Sequence, residues 1–243
     1  MDGREFKNAI FEQLARVATA YASPKRMELV DLLAQGERTV ESLATAAAMT
    51  VANTSHHLQV LRNAGLVASR KEGLYVFYRV ADESVVDGYR QLRILAESRV
   101  AEVRQLSEAF FGEVDGAEPV SFEELLVRSK SGEVVVVDVR PTIEFNAGHV
   151  PGAISLPLDE FSARIAELDP SAGVVAYCRG PYCVLAANAV KELRAAGLRA
   201  QRLSGGPPDW RAAGLALAFG PDTGEVLPHH SVGRQKTMKG NTK

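Results

Sequence analysis

The order of hydrophobic and polar residues predicts a chain of two halves, the first of them mainly helical. Apolar residues recur there at every third or fourth position, the spacing of an amphipathic helix. This spacing predicts helices over 4–20, 24–35, 40–47, 51–63 and 82–111. Two short strands, 66–69 and 74–80, precede the last helix and are joined by 70–73. Helix, turn, helix and hairpin in this order predict a winged helix-turn-helix.

Strands and helices alternate in the second half. The near-continuous valine run over 133–139 is typical of a strand buried on both faces of a parallel sheet. The pattern further predicts strands over 154–156, 174–177 and 200–203 and helices over 121–129, 158–166 and 184–196. The predicted fold class is therefore a mainly-α winged helix-turn-helix followed by an α/β open parallel sheet.

An acidic stretch rich in glycine and proline, Gly112–Pro119, separates the two halves. We therefore expect one domain over 1–112, a linker over 113–119 and a second domain over 120–220. The polar remainder, 221–243, is expected to be a disordered tail.

The composition is that of a globular chain in water. Of 243 residues, 46% are hydrophobic and 24% are charged, and the formal net charge is −2. No apolar run approaches the roughly 20 residues of a membrane helix. The first residues also lack the hydrophobic core of a secretory signal. We expect a cytoplasmic protein with no membrane partner.

The net charge conceals a stretch without acidic residues, from Ser42 to Lys71. The helix over 51–63 and the following hairpin carry short polar and basic side chains there, which suit base edges and phosphates in a major groove. The candidate DNA-binding residues are Asn53, Thr54, Ser55, His56, Gln59, Arg62, Arg70 and Lys71, the last two at the tip of the hairpin. Double-stranded operator DNA is the predicted partner of this half.

The segment 54–67, TSHHLQVLRNAGLV, and the wing sequence RKEGLYVFYR of 70–79 closely resemble the ArsR/SmtB family of bacterial repressors. The resemblance implies a homodimeric winged-helix protein that releases operator DNA when it senses an inducer. The helix over 82–111 is too long for one small domain to cover its apolar stripe, which predicts a dimer contact along it.

The metal sites that this resemblance implies are missing from the sequence. Family members bind metals through cysteines on the helix before the recognition helix, or through histidines and carboxylates on the last helix. Here 39–49 has no cysteine and 82–111 has no histidine, and carboxylates alone make a poor transition-metal site. No metal and no cofactor are predicted.

The only two cysteines of the chain, Cys178 and Cys183, lie in one short stretch, YCRGPYC. Cys178 follows a predicted strand, and the loop after it leads into a helix. Converging loop amides and a helix N-terminus lower the pKa of a thiol and stabilise its anion. We therefore expect Cys178 to be the nucleophile, with Arg179 adding positive charge to the loop.

Four ordered motifs around this stretch resemble the rhodanese domain over about residues 118–219. They are DVR at 138–140, GHVPGAI at 148–154, YCRGPYC at 177–183 and GGPPDW at 205–210. The resemblance implies that Cys178 accepts sulfane sulfur as a persulfide. Related phosphatases carry arginine six positions after the cysteine, where this chain has Val184. Cys183 stands where rhodaneses often have a basic or hydroxyl side chain, which suggests a resolving thiol that attacks the persulfide.

The sequence thus predicts a DNA-binding transcriptional regulator, a repressor, that senses reactive sulfur or redox state through Cys178 and Cys183. Its expected partners are operator DNA, a second copy of the chain and a small sulfur species or other thiol-reactive inducer. Two alternatives stay open. The second domain is an active thiosulfate or persulfide sulfurtransferase at Cys178, or the dithiol responds to arsenite or a soft metal, although two thiolates give few metal ligands.

Overall fold

The computed structural model describes residues 1–115 and 119–221, and its two domains confirm the predicted fold class. The first begins with four helices and one very short strand. These are α1 (Gly3–Tyr21), α2 (Pro24–Leu33), β1 (Arg38–Thr39), α3 (Val40–Ala46) and α4 (Val51–Asn63). A hairpin of β2 (Val67–Glu72) and β3 (Tyr75–Val80) follows, then α5 (Glu83–Arg99) and α6 (Ala101–Asp115).

Local chemistry explains the bounds of α3 and α4. The Thr39 hydroxyl accepts the amide of Ser42 at 3.2 Å, and the Thr50 hydroxyl accepts that of Asn53 at 3.2 Å. Each satisfies an amide that the first turn of a helix leaves without a partner. Gly65 follows α4 with a φ of 76°, a left-handed conformation that favours glycine. The predicted bounds of α4 are confirmed.

The wing is longer than predicted. Strand β2 extends to Glu72 and pairs with β3, while β1 pairs with the other edge of β3, so the sheet order is β1-β3-β2. Arg70 and Lys71 therefore lie on β2 opposite Phe77 and Val76. Their predicted place at the tip of the hairpin is wrong, because the turn is formed by Gly73 and Leu74.

The single helix predicted over 82–111 is also wrong. Val100 is extended, with φ −108° and ψ 103°, and it separates α5 from α6. Beyond it, α6 packs against the second domain, where Phe111 is buried in the core. Contact with the second domain, rather than local propensity, sets this change of direction. Helix α6 also continues to Asp115, three residues into the predicted linker.

The second domain is a four-stranded parallel sheet with helices on both faces. Its strands are β4 (Val134–Asp138), β5 (Ile154–Ser155), β6 (Gly173–Tyr177) and β7 (Ala200–Arg202), in the order β5-β4-β6-β7. Its helices are α7 (Phe122–Lys130), α8 (Thr142–Ala147), α9 (Leu158–Arg164), α10 (Val184–Ala195) and α11 (Pro207–Ala212), with a 3-10 turn over Ile165–Glu167. Two apolar clusters, one on each face, bury the valines of β4, as the valine run predicted.

Helices α8 and α11 and strand β1 were not predicted, since each has six residues or fewer. Residues 116–118 of the predicted linker and 222–243 of the predicted tail lie outside the described residues. Among the described residues, no helix is long and apolar enough to cross a membrane.

Candidate functional site

The loop between β6 and α10 carries both cysteines and lies against the first domain. Cys178 directly follows β6, and Cys183 is the N-cap residue of α10. The backbone at Gly206 passes close behind the loop. A Cβ atom there would lie 2.5 Å from the Cys178 carbonyl oxygen and 2.2 Å from that of Arg179, so only glycine fits this position. Gly206 of the GGPPDW motif thus lets the chain support the loop from behind.

Cys178 is enclosed, with 2% of its surface exposed. Its sulfur lies 3.3 Å from the carbonyl oxygen of Cys183, and the backbone amides of Gly180 and Ala186 point at its sulfur. Burial nevertheless raises the pKa of Cys178 well above its usual value, and the neighbouring Cys183 raises it further. Cys178 is therefore held as a thiol.

Cys183 is the more acidic thiol. The hydrogen bond that its sulfur accepts from Cys178 lowers its pKa, as do the amides of Arg179 and Leu185 and the charge of Arg179, and these effects outweigh burial to give a pKa of about 7. This order is opposite to the sequence-based expectation, in which Cys178 has the lower pKa. Amides of the loop and of the first turn of α10 reach Cys178, but its burial outweighs them, whereas Cys183 is itself the N-cap residue of α10. The position of Cys183 immediately before α10 was the signal that could have indicated this.

Arg179 joins the loop to the first domain through a shared carboxylate. Its Nη2 lies 2.7 Å from Glu144 Oε1, and the same oxygen lies 3.0 Å from Nη2 of Arg38. Glu144 is 1% exposed and Arg38 is 5% exposed. Arg38 belongs to β1, which pairs with β3 of the wing. One buried carboxylate thus bridges the cysteine loop and the wing sheet.

Gln35, after the end of α2, makes a second connection to the loop. Its Nε2 donates to the Arg179 carbonyl at 3.2 Å, and its Oε1 accepts from Arg140 Nη1 at 2.9 Å. Arg140 is fully buried and paired with Asp138 at 2.6 Å. These residues, with Glu144 and Arg38, form what we call the interdomain polar cluster. Through these contacts Asp138, Arg140 and Glu144 brace the cysteine loop or pair with charged neighbours.

A cavity of about 380 Å³ lies where the loop meets the first domain. Helices α2 and α5 form one wall, with Asp31, Tyr89 and Arg93, and the loop forms the other, with Arg179 and Cys183. Cys178 is not among its lining residues. A small molecule in this cavity therefore meets Cys183 first.

Within residues 1–115 and 119–221, no group of three or more histidine, cysteine or acidic side chains could hold a metal ion. His149 of the second domain stacks on Phe145 with ring centroids 3.7 Å apart, and its Nδ1 lies 2.9 Å from the Phe145 carbonyl oxygen. Both cysteines are free thiols.

The predicted DNA-binding residues of α4 do not share one face. Asn53, His56 and Arg62 are exposed, and Ser55 and Gln59 are half-buried. Thr54 is fully buried and its hydroxyl donates to the Thr50 carbonyl at 3.0 Å, so its predicted contact with DNA is wrong. Thr54 shares the buried face of α4 with Leu58 and Leu61. Their i, i+4, i+7 spacing was the signal for this orientation.

The two predicted basic residues of the wing have different surroundings. Arg70 pairs with Glu37 and Glu72, and its guanidinium lies 4.4 Å from the centre of the Phe77 ring. These contacts hold it against the wing, whereas Lys71 is exposed. Lys71 and Arg62 are the freer cations beside the recognition helix, and the Nη1 of Arg62 reaches Ser69 at 3.3 Å.

A winged helix-turn-helix joined to a parallel α/β domain with a cysteine loop defines a class of DNA-binding protein with an attached thiol-bearing domain. Comparison with known families supports both parts. Residues 23–69 match the model of bacterial regulatory proteins of the arsR family, and residues 121–213 match that of the rhodanese-like domain.

The chain is similar over almost its whole length to the HTH-type transcriptional regulator Rv0324 of Mycobacterium tuberculosis. The two are 43% identical over 218 residues, covering 90% of this chain and 96% of the relative. The chain therefore belongs to the family of HTH-type transcriptional regulators of ArsR/SmtB type that carry a rhodanese-like domain. The recognition of both families from the sequence motifs is confirmed.

Other similarities cover single domains. The transcriptional repressor SmtB homolog of Synechocystis is 37% identical over 81 residues, covering 33% of this chain and 61% of the relative. A homodimeric winged helix-turn-helix domain of Mb0332 from Mycobacterium bovis is 40% identical, covers 41% of this chain and 91% of that one, and has a TM-score of 0.38.

Proposed function

We propose that this regulator binds operator DNA as a homodimer and releases it when sulfane sulfur oxidises the Cys178–Cys183 pair. The observation that carries the proposal is the position of the pair. The chain's only two thiols lie in one loop, and that loop hydrogen-bonds to the DNA-binding domain through Gln35. A chemical change at the thiols therefore acts directly on the contact between the domains.

The proposed chemistry begins at Cys183, since its pKa is about 7 and it lines the cavity. Its thiolate attacks the outer sulfur of a persulfide or polysulfide, a thiolate leaves, and a persulfide forms on Cys183. Cys178 then loses its proton and attacks the Cys183 sulfur. A disulfide forms between the two residues and the outer sulfur departs as hydrosulfide. The two thiols are oxidised and the sulfane sulfur is reduced.

This order exchanges the roles predicted from the sequence. There Cys178 accepted sulfur and Cys183 resolved it. The depressed pKa and the cavity favour Cys183 as acceptor, while the enclosure of Cys178 favours the second step, which requires no access for an external molecule.

For DNA recognition, we propose that α4 enters the major groove with its exposed polar residues facing base edges. The proposed contacts are Asn53, Ser55, His56, Gln59 and Arg62, with Lys71 on a phosphate. Burial lowers the pKa of His57, which favours a structural role for it. Arg70 becomes available to DNA only if it leaves Glu37 and Glu72.

For dimerisation, α1 is a stronger candidate than the predicted 82–111 helix. Over its 19 residues only Ala20 is buried. Five apolar side chains on this helix are between 39% and 66% exposed: Phe6, Ile10, Phe11, Leu14 and Val17. Exposed apolar stripes of this extent mark interaction surfaces. We propose a symmetric contact of α1, continued by the exposed Leu92 and Leu95 of α5.

A DNA-binding assay on the chain's own upstream region tests the function. Reduced wild-type protein should bind, and treatment with inorganic polysulfide should weaken binding at least tenfold. Cys178→Ser and Cys183→Ser should each bind DNA when reduced but lose the response. Mass spectrometry should show loss of the two thiol hydrogens in wild type only. Failure of the reduced wild type to bind, or an unchanged response in both variants, would overturn the proposal.

The sulfurtransferase alternative is tested in the same preparations by following cyanide-dependent turnover of thiosulfate. The 2% exposure of Cys178 disfavours it as a turnover thiol. An arsenite titration of DNA binding checks the soft-metal alternative in parallel. Release by arsenite but not by polysulfide would favour that alternative.

A further inference from the structure

The cavity between the domains carries one acidic and one basic side chain on the wall opposite the acidic thiol. Asp31 on α2 and Arg93 on α5 both line it, and Cys183 closes it on the side of the loop. Its volume of about 380 Å³ is near the lower end of ordinary ligand pockets. A molecule of amino-acid size suits these dimensions.

Asp31 lacks a cationic partner in the parts of the chain that the structure describes. Its carboxylate accepts a hydrogen bond from the Tyr89 hydroxyl, and no basic side chain forms an ion pair with it there. Arg179 and Arg93 act on it only at longer range, and burial raises its pKa to about 6. A half-buried carboxylate without a cationic partner favours a ligand that brings its own positive charge.

Arg93 offers an unsatisfied donor on the same wall. Its Nη2 pairs with Asp209, and its buried Nε lacks a well-aligned hydrogen-bond acceptor, since the nearest oxygen of Glu97 is 3.4 Å away. Buried donors without acceptors are rare and call for a reason. A ligand carboxylate would supply a further acceptor to the part of the Arg93 guanidinium that lines the cavity.

From these features we infer that the cavity binds an amino-acid persulfide, a zwitterion that carries its sulfane sulfur on the side chain. The ammonium group pairs with Asp31, the carboxylate accepts from Arg93, and the outer sulfur reaches Cys183. Inorganic polysulfide has no ammonium group to pair with Asp31, so it reacts with Cys183 without being recognised by the cavity. The inference rests on the proposed function, because it names the sulfur donor of that same site.

An unreactive analogue separates binding from chemistry. S-methyl-L-cysteine has the shape of cysteine persulfide but contains no sulfane sulfur. Titration calorimetry of reduced full-length protein compares it with 3-(methylthio)propionate, which lacks the ammonium group, and 2-(methylthio)ethylamine, which lacks the carboxylate. We expect each truncated analogue to bind at least tenfold more weakly than the zwitterion.

The variant Asp31→Asn assigns the ammonium contact. It should weaken binding of S-methyl-L-cysteine at least tenfold and leave 3-(methylthio)propionate unchanged, because that analogue has no group for Asp31. Asp87→Asn, an exposed carboxylate on α5 outside the cavity, is the matched control and should change neither. Equal affinities for all three analogues, or no binding of any, would overturn the inference.

Reactive sulfane sulfur donors test whether binding in the cavity leads to DNA release. At equal sulfane sulfur, cysteine persulfide should release DNA at least tenfold faster than the persulfide of 3-mercaptopropionate, and Asp31→Asn should remove this difference. If polysulfide releases DNA but no zwitterion preference exists, only the cavity assignment fails. If the analogues bind as expected but no donor releases DNA, only the proposed function fails.

Discussion

At the scale of single residues, Cys183 changes its charge close to neutral pH. With a pKa of about 7, its thiolate fraction should rise about tenfold between pH 6 and pH 8. Alkylation of Cys178→Ser by iodoacetamide, followed by mass spectrometry, should therefore accelerate by about this factor. The serine hydroxyl can still donate to the Cys183 sulfur, so the profile should stay near that of wild type.

Cys178→Ala and Cys183→Ser are the matched comparisons. The alanine variant removes the hydrogen bond that contributes most to the lowered pKa, so its profile should move to higher pH. In Cys183→Ser only the enclosed Cys178 remains, and it should alkylate slowly at both pH values. Faster alkylation of Cys178 than of Cys183 at neutral pH would contradict the assigned order of acidity.

Asp31 should reduce the stability of the fold at neutral pH. Its pKa is 3.8 in an ordinary setting and about 6 in the folded chain, so the folded state binds the proton more tightly than the unfolded state. The free energy of unfolding is therefore highest below about pH 4, and it decreases as the pH rises to about 6 and Asp31 ionises in the folded chain. Asp31→Asn removes this loss and should stabilise the protein at pH 8 by up to about 3 kcal/mol.

Urea unfolding at the two pH values measures this effect. The gain should shrink as the pH falls and vanish below about pH 3, where Asp31 is protonated in both states. Asp87→Asn should change stability little at either pH, because its carboxylate is exposed. Destabilisation by Asp31→Asn at pH 8 would show that the ionised carboxylate is held by a favourable partner.

At the scale of elements, helix α1 has an apolar stripe that the monomer leaves uncovered. Leu14→Glu, at a position 58% exposed, should convert the dimer to a monomer. A symmetric interface receives each substitution twice, and the loss of about 1.5–3 kcal/mol per buried leucine should raise the dimer dissociation constant at least about a hundredfold. Analytical ultracentrifugation measures this constant.

Leu106→Glu on α6 is the matched control, since Leu106 is 72% exposed but lies beyond the break at Val100. It should leave the dimer intact. A monomer from Leu106→Glu together with a dimer from Leu14→Glu would support the contact predicted along 82–111.

Several elements could be predicted from the sequence because their causes are local. Thr39 and Thr50 cap their helices, and the valines of β4 match a strand covered on both faces. The break at Val100 could not be predicted, because it depends on α6 packing against a domain that lies later in the chain. The inward orientation of Thr54 was predictable from its spacing with Leu58 and Leu61, but its polar side chain suggested otherwise.

The candidate site likewise has features that the sequence predicts and features that it does not predict. The cysteine pair and the residues that brace its loop follow from motifs in the sequence. The cavity does not, because it joins Asp31 to Cys183 across a contact between domains. The order of thiol acidity depends on burial and on the exact start of α10, and neither is encoded in the spacing of the two cysteines.

At the scale of the whole molecule, the interdomain polar cluster connects the cysteine loop to the DNA-binding domain. Gln35→Ala removes the contacts with both the Arg179 carbonyl and Arg140. The reduced variant should bind DNA within about twofold of reduced wild type. Its loss of DNA affinity on oxidation should be less than about threefold, because coupling between sites is typically worth 1–3 kcal/mol.

Gln105→Ala makes the same chemical change at an exposed position on α6 and should leave the response at its wild-type size. Fluorescence anisotropy with reduced and polysulfide-treated protein measures both affinities. If Gln35→Ala keeps the full response, the cysteine loop and the DNA-binding domain are coupled through Glu144 and Arg38 and not through Gln35.

The separation of the two cysteines by only four residues also bears on how a cell would experience this switch. Both sulfurs belong to one loop of one chain, so closing the bridge is a first-order event whose rate is independent of how many copies of the regulator are present. A scarce regulator and an abundant one would then convert the same fraction of their molecules at a given donor level. The donor concentration that causes DNA release would then depend on donor chemistry and not on fluctuations in the regulator's own expression.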